Sequence, residues 1–130
     1  MPFEGLLQTF FKAVSFEAGA LPDYEAIRGL FVPQGLLIRA LSLPPEISTV
    51  DEFIAPRLEQ VRSGRLTEFA EAEISGATQV FGNVAQRWSV YTKNGVLDGT
   101  PFSARGTIST QFVQTAVGWL MTAMAWDDDV

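Results

Sequence analysis

The chain has 130 residues, a common size for one domain, and its fifteen acidic and nine basic residues give a net charge of −6. That charge repels nucleic acid and anionic lipid, so we expect neither as a partner. The chain contains no cysteine and no histidine, which excludes disulfides, thiolate nucleophiles, a zinc site and a Ser–His triad, and we expect no metal or other cofactor.

Nothing at the start of the chain resembles a targeting signal. The opening Met-Pro-Phe-Glu has no basic segment, and no uncharged apolar run approaches the roughly 20 residues that span a bilayer. A chain without cysteine also suits a reducing compartment. We therefore expect a cytoplasmic protein without membrane contact, forming a single domain over residues 1–130 because no repeat or linker divides it.

Two helices are predicted near the N-terminus. The first carries an apolar stripe with helical spacing and can end at Gly19; the stripe comprises Phe3, Leu6, Leu7, Phe10, Phe11 and Val14. Pro22-Asp23 then offers a stop and a capping carboxylate for a short second helix. Its apolar face comprises Tyr24, Ile27, Leu30 and Phe31, and Pro33 closes it.

A strand and a third helix are predicted next. The apolar run from Leu36 to Leu41 lies between Gly35 and two prolines, which is typical of a strand. Thr49 and Glu52 have the spacing of a capping box, so a helix should start there and end near Gly64. Its apolar side comprises Val50, Phe53, Ile54, Leu58 and Val61. Pro56 should kink it near Phe53 or divide it into two pieces.

From Arg65 onward the apolar period changes toward 2, which indicates a sheet. Turn residues predict strands near 66–75, 77–92, 102–115 and 118–126; the turn residues are Gly76, Gly82-Asn83, Asn94-Gly95, Asp98-Gly99 and Gly118. Gly82-Asn83 lies within a strand-like stretch, so we expect a bulge and the point of strongest curvature there. The run Asp127 to Asp129 is expected to be a solvated tail.

Helices followed by strands predict an α+β fold, with three N-terminal helices packed on one face of an antiparallel sheet. Three short stretches add a family resemblance: Phe31-Val32-Pro33-Gln34-Gly35, Phe81-Gly82-Asn83-Val84-Ala85 and Gly118-Trp119-Leu120-Met121. With the order of elements, they make the chain resemble the nuclear transport factor 2-like superfamily, in particular its polyketide cyclase-like (SnoaL-like) branch of small bacterial proteins. The resemblance implies a strongly curved sheet forming a cone-shaped half-barrel, an apolar pocket, and a homodimer through the sheet.

Three catalytic patterns of that superfamily are not matched by this chain. Sites like that of scytalone dehydratase use histidines, which are absent here. Sites like that of limonene epoxide hydrolase use an Arg-x-Asp motif, and the nearest match, Arg87-Trp88-Ser89, lacks the carboxylate. Sites like that of ketosteroid isomerase need an Asp base after the second helix, but Arg39 is the only charged residue between Val32 and Leu41. The catalytic residues are therefore left unassigned.

Six residues are candidates for contact with a ligand: Tyr24, Phe31, Arg39, Trp88, Phe112 and Trp126. Each has a structural alternative. Tyr24 could donate a hydrogen bond into the pocket or complete a helix face, and the aromatic rings could stack on a ligand or only pack in the core. Arg39, like Arg87 and Arg105, could bind a ligand carboxylate or pair across the sheet surface.

Any acid–base chemistry would depend on carboxylates, lysine or tyrosine tuned by burial. On the predicted strand, Glu71 and Glu73 share one face and Glu68 takes the other, with solvent exposure as the simpler interpretation. A sharper hypothesis is that one Arg and one Glu meet inside the cone and orient the polar end of a ligand. Three functions stay open. The first is binding of an apolar or aromatic small molecule, with lyase, isomerase or cyclase activity if the protein is an enzyme. The others are a non-catalytic homodimeric binding module and an interaction subunit that uses the exposed sheet face.

Overall fold

The computed structural model describes residues 2–129. The helices are α1 (Pro2–Val14), a 3-10 helix, η1 (Tyr24–Leu30), and α2 (Val50–Arg62). The strands are β1 (Phe31–Arg39), β2 (Glu46–Thr49), β3 (Leu66–Phe81), β4 (Val84–Leu97), β5 (Thr100–Thr115) and β6 (Gly118–Asp128).

The six strands form one curled, unclosed sheet in the order β2-β1-β6-β5-β4-β3. The three helices pack against its inner face, which confirms the predicted α+β architecture. One pairing differs from the prediction of an antiparallel sheet, because β1 and β6 run parallel. Residue patterns indicate where strands lie, but they do not show which distant strand becomes a neighbour.

The predicted stripe of the first helix forms much of the core. Phe3, Leu7, Phe10, Phe11 and Val14 are buried, whereas Leu6 is only half-buried at the edge of the stripe. At the start of α1, Phe3 packs edge-to-face on two sheet rings, with its ring centroid 5.0 Å from those of Phe112 and Trp119. The burial of these large rings fixes α1 across the sheet.

The second helix and the first strand differ from their predicted bounds. Phe31 and Pro33 belong to β1, so the strand begins five residues before the predicted Leu36. The register of β1 against β6 shifts between Phe31 and Leu36. Pro33 lies in this irregular part, where a residue without a backbone N–H is tolerated because the regular ladder hydrogen bonds are interrupted. The four-residue strand β2 was not predicted.

The predicted capping box at the start of α2 is present. The Thr49 hydroxyl accepts from the Glu52 backbone N–H at 3.2 Å, and the Glu52 carboxylate accepts from the Thr49 N–H at 2.9 Å. Pro56 lies inside α2 but does not divide it, so the expectation of two helical pieces is wrong. Pro56 removes only one backbone donor, and the cap together with the buried Phe53 and Ile54 offsets that loss.

At three glycine positions the structure differs from the predicted bulge or turn. Gly82-Asn83 is the hairpin turn between β3 and β4, not a bulge within a strand, and the register shifts of β3 lie instead at 66–68 and 73–75. β3 continues through Gly76, where a Cβ would lie only 2.4 Å from Nη2 of Arg87. Gly95 lies within β4, where a Cβ would lie only 2.8 Å from the Phe102 ring. Both positions need glycine for close approach, which a turn pattern does not distinguish.

A buried arginine connects the sheet to the start of α1. Arg87 on β4 is 6 % exposed and donates two hydrogen bonds to Glu73 on β3, at 2.6 and 3.0 Å. It also donates to Thr78 at 2.6 Å and lies 3.5 Å from the Glu4 carboxylate of α1. Burial works to raise the pKa of Glu73, but hydrogen bonding, mainly from Arg87, and the positive charge of Arg87 together hold that pKa below its usual range.

Glu73→Gln should destabilise the protein by roughly 2–3 kcal/mol at neutral pH, because it leaves the Arg87 guanidinium buried without its main counter-charge. Urea unfolding measures the loss. Because the pKa of Glu73 is lowered in the folded protein, its contribution exists at neutral pH and disappears as the pH falls through that value, so the difference from wild type should shrink in acid.

Glu68→Gln is the matched control, since Glu68 lies on the opposite face of β3 and should change stability by less than about 0.5 kcal/mol. Equal losses from the two variants would show that the ion pair does not contribute as proposed.

Candidate functional site

A cavity of about 540 Å³ opens between the helices and the inner face of the sheet. Its walls combine apolar and aromatic side chains with a few charged ones. The lining residues are Phe10, Val14, Tyr24, Arg39, Glu46, Phe53, Pro56, Arg57, Gln60, Leu66, Phe69, Glu71, Lys93, Leu97, Phe102, Ile108, Met124 and Trp126. This volume exceeds that of most small aromatic compounds, and an apolar cleft with few polar groups is the common form of a ligand site.

Aromatic rings form two walls of the cavity. On the helix side, the Phe53 ring lies 6.1 Å from Trp126, edge-to-face, and 6.2 Å from Phe10. On the strand side, the rings of Phe69 and Phe102 lie 6.2 Å apart. Aromatic rings on two sides of the cavity suit contact with a flat apolar molecule.

Glu71 brings a carboxyl group into this apolar space. It lies on β3 opposite Lys93 of β4, and its backbone N–H donates to the Ser15 hydroxyl at 3.0 Å, which attaches this part of β3 to the end of α1. Burial raises the pKa of Glu71 to about 7, and the nearby Asp128 adds to the rise, while Lys93 and Arg57 partly offset it. At neutral pH Glu71 can therefore either accept or donate a proton.

The acidic C-terminal run differs in part from the predicted solvated tail, since Asp127 and Asp129 are exposed but Asp128 is half-buried. Asp127 and Asp128 continue β6, and the Asp128 carboxylate accepts from the Tyr91 hydroxyl and from Lys93 Nζ, the latter at 3.0 Å. Burial, together with the hydrogen bond to Asp128, raises the pKa of Tyr91. Because Asp128 pairs with Lys93, it holds that ammonium group at the cavity wall.

Arg57 of α2 supplies a guanidinium group on the helix side of the cavity. Its Cζ lies 3.7 Å from the centroid of the Phe53 ring, and its Nη1 donates to the Phe53 carbonyl at 3.0 Å. Burial lowers the pKa of Arg57, yet it stays a cation because arginine begins far above neutral pH. Stacking and hydrogen bonding together fix the orientation of this group.

The structure brings three of the six predicted ligand-contact residues together. Tyr24, Arg39 and Trp126 line the cavity. Phe31 and Phe112 are buried in the core away from it, and Trp88 lies on the outer face of the sheet, 53 % exposed, between the buried Arg87 and Ser89. Trp88 points outward because successive side chains of a strand point to opposite faces, and its neighbour Arg87 points inward.

Arg87 and Glu73 form a buried ion pair, but neither lines the cavity. The hypothesis that an Arg and a Glu together orient a polar ligand group therefore stays a prediction. Arg105, by contrast, is exposed on the outer face, 3.8 Å from Asp129. Sequence reasoning did not single out Arg57, Phe69, Lys93 or Phe102. It placed Glu71 and Glu73 on one face but assigned them to solvent, because the strand pattern did not show that a helix covers that face.

Residues 2–129 contain no cluster of three or more acidic side chains placed to hold a metal ion. Within the same part of the chain, no helix combines the length and apolar character that crossing a bilayer requires.

Comparison with solved structures shows which fold this is. A nuclear transport factor 2-like superfamily protein from Salmonella enterica serovar Typhimurium superposes with a TM-score of 0.79 at 13% identity, covering 98% of this chain and 89% of that one. A protein from Kribbella flavida also gives 0.79 at 13% identity, covering 97% and 87%. The chain has the nuclear transport factor 2-like fold. At this level of identity the likeness establishes the fold and not the activity.

An uncharacterised protein with a cystatin-like fold from Caulobacter vibrioides is similar as well, with a TM-score of 0.74 at 13% identity over 98% of this chain and 87% of that one. No family model and no curated protein sequence matches this chain. The nuclear transport factor 2-like cone is therefore common to these proteins, whereas the charged groups in its cavity must be interpreted from this chain alone.

Glu71→Gln should change how stability depends on pH. Between the ordinary glutamate pKa near 4.5 and the folded value of about 7, the folded protein holds a proton that the unfolded chain releases. The carboxyl therefore makes wild type less stable as the pH rises through this window. Relative to wild type, the variant should gain roughly 2–3 kcal/mol in urea unfolding between about pH 4 and about pH 8.

A direct check is the titration of the side-chain carboxyl carbons by NMR, in which Glu71 should have its midpoint near 7 and Glu68 serves as the outward-facing control. A midpoint for Glu71 in the ordinary glutamate range would contradict the prediction.

Proposed function

We propose that the chain binds an apolar or aromatic small molecule in the cavity and that Glu71 exchanges a proton with it. The observation that carries this proposal is the Glu71 carboxyl, which titrates near neutral pH in the wall of a cavity large enough for a small aromatic molecule. Perturbed carboxyl groups in apolar clefts are typical of acid–base sites.

Lyase, isomerase and cyclase reactions of carbonyl compounds share one step that this site could perform. The Glu71 carboxylate takes a proton from the carbon next to the carbonyl. The electron pair of that C–H bond forms the C=C bond of an enolate, and the π pair of the carbonyl moves to its oxygen. Glu71 then returns the proton to carbon. Burial raises the pKa of Tyr24, which keeps its hydroxyl protonated and able to donate to the enolate oxygen. The resemblance to the polyketide cyclase-like branch agrees with such chemistry.

The test uses 2-acetylnaphthalene, a neutral aromatic ketone, in deuterated buffer at neutral pH. Wild type should accelerate deuterium incorporation into the acetyl methyl group, because Glu71 removes and returns protons at that carbon. Glu71→Gln should lower the rate by roughly 10²–10⁴-fold, which proton NMR measures directly. Exchange at the same rate with both proteins would exclude Glu71 as the base.

A paired control separates the cavity from the protein surface. Leu97→Trp adds a ring at the cavity wall, whereas Val96→Trp adds the same ring on the other face of the same strand. The first variant should reduce both binding and exchange, and the second should leave them close to wild type. Equal effects would place the reaction outside the cavity.

We propose as a second function that the outer face of the sheet forms a homodimer, with or without catalysis in the cavity. Support comes from Trp88 and Val84, which are 53 % and 52 % exposed on that face. A glutamine row of Gln79, Gln86 and Gln111 crosses the same face through side-chain hydrogen bonds of 2.9 and 3.3 Å. A mixed surface of exposed apolar groups and ordered polar groups is typical of a subunit interface.

Trp88→Lys should convert the dimer to a monomer in light scattering at micromolar concentration, because it places a charge in the centre of the proposed interface. Leu43→Lys is the control, since Leu43 is 94 % exposed in the connection between β1 and β2 and lies outside the sheet. A wild-type monomer would remove this proposal and leave the cavity function unaffected.

A further inference from the structure

We propose that the ligand of the cavity is an anion, an aromatic or polycyclic carboxylate whose charged group is bound by Arg57 and Arg39. This inference rests on the proposed function and adds the chemical class of the ligand to it.

The charge of the cavity wall is opposite to that of the chain. Three of the nine basic residues line the cavity, namely Arg39, Arg57 and Lys93, but only two of the fifteen acidic residues do, Glu46 and Glu71. Glu71 is partly neutral at pH 7 because its pKa is raised. Although the chain has a net charge of −6, cations outnumber carboxylates among the side chains that line this cavity, which favours an anionic ligand.

Lys93 is already matched, since its Nζ lies 3.0 Å from the Asp128 carboxylate. The two arginines are different. Within residues 2–129, neither Arg39 nor Arg57 forms a salt bridge, whereas Arg28, Arg65 and Arg87 each do. Glu46 lies opposite Arg39 in the β1–β2 register and acts on Arg57 through its charge, but it forms no salt bridge with either described arginine. Two guanidinium groups in the wall are thus available to a ligand.

Arg57 loses hydration through burial without gaining a carboxylate partner in return. A guanidinium group has five N–H donors, and its one side-chain hydrogen bond to a described residue goes from Nη1 to the Phe53 carbonyl. A partly desolvated cation without a counter-ion is costly, and an anion entering the cavity would remove that cost. The planar fork of arginine matches a carboxylate in a bidentate geometry.

Arg39 extends the same site from the sheet. It lies at the end of β1 in register with Trp126 of β6, so its backbone is beside one of the aromatic walls. Arg39 and Arg57 line the same cavity, so their like charges repel each other. Burial is the main cause of the lowered pKa of Arg57, and the charge of Arg39 adds to it. One anion between them would relieve this repulsion, and the rings of Phe53 and Trp126 would contact the apolar body of the ligand.

Two probes of nearly equal shape test the inference by calorimetry: 2-naphthoate, which is an anion, and 2-naphthamide, which is neutral. Wild type should bind 2-naphthoate roughly 10- to 100-fold more tightly. Arg57→Gln and Arg39→Gln should each reduce that preference by about tenfold or more and leave the affinity for 2-naphthamide nearly unchanged. Arg62→Gln is the matched control, because it removes the same charge from the same helix outside the cavity wall.

The outcomes separate this inference from the proposed function. Binding of both compounds with equal affinity by wild type would overturn the anion inference and retain the apolar cavity. Binding of neither would overturn both. Loss of the preference in Arg62→Gln as large as in Arg57→Gln would show a general effect of net charge and would also overturn it. If a variant fails to fold, the relative affinity of wild type for 2-naphthoate and 2-naphthamide still tests the inference.

Discussion

α1 packs across the inner face of the sheet, and this contact determines where the sheet is covered and where a cavity remains. A 13-residue helix is about 20 Å long, whereas a 16-residue strand extends for about 50 Å, so α1 cannot cover strands such as β3 and β5. At the start of α1, Phe3 packs against Phe112 and Trp119 and leaves no space above the sheet. At the end of α1, Phe10 and Val14 become the wall of a cavity. The space between α1 and the sheet is therefore closed beside Phe3 and open beside Phe10 and Val14. These are called the closed end and the open end.

Charged groups divide between these two ends according to their partners. Glu73 and Glu71 are two residues apart on the same face of β3, yet their pKa values move in opposite directions. Glu73 accepts two hydrogen bonds from Arg87, which stabilise its charge at the closed end. Glu71 meets an apolar cavity, where burial disfavours its charge. The same residue type becomes a structural ion pair at one position and an acid–base group at the other.

The fold and the chemistry of this protein are supported by different kinds of evidence. Solved structures with the same fold share only about one residue in eight with this chain, as in the 13% identity to the Salmonella protein. A curled sheet with helices on its inner face can be built from many sequences, because it needs only the right apolar pattern and turns. The polar groups in the cavity are not required by that pattern, so they are where a function specific to this chain would be found.

The helical stripe of α1, the capping box of α2 and the long strands after Arg65 could be predicted, because each depends on local periodicity or capping. The sequence also restricted the chemistry, since a chain without histidine and cysteine must use carboxylates, lysine or tyrosine for acid–base work. The folded structure was needed to show that Gly76 accommodates Arg87, that Trp88 points outward, and that Glu71 and Arg57 share a cavity. These facts depend on strand register and on which face a distant helix covers, and a shift of one residue would exchange the two faces of a strand.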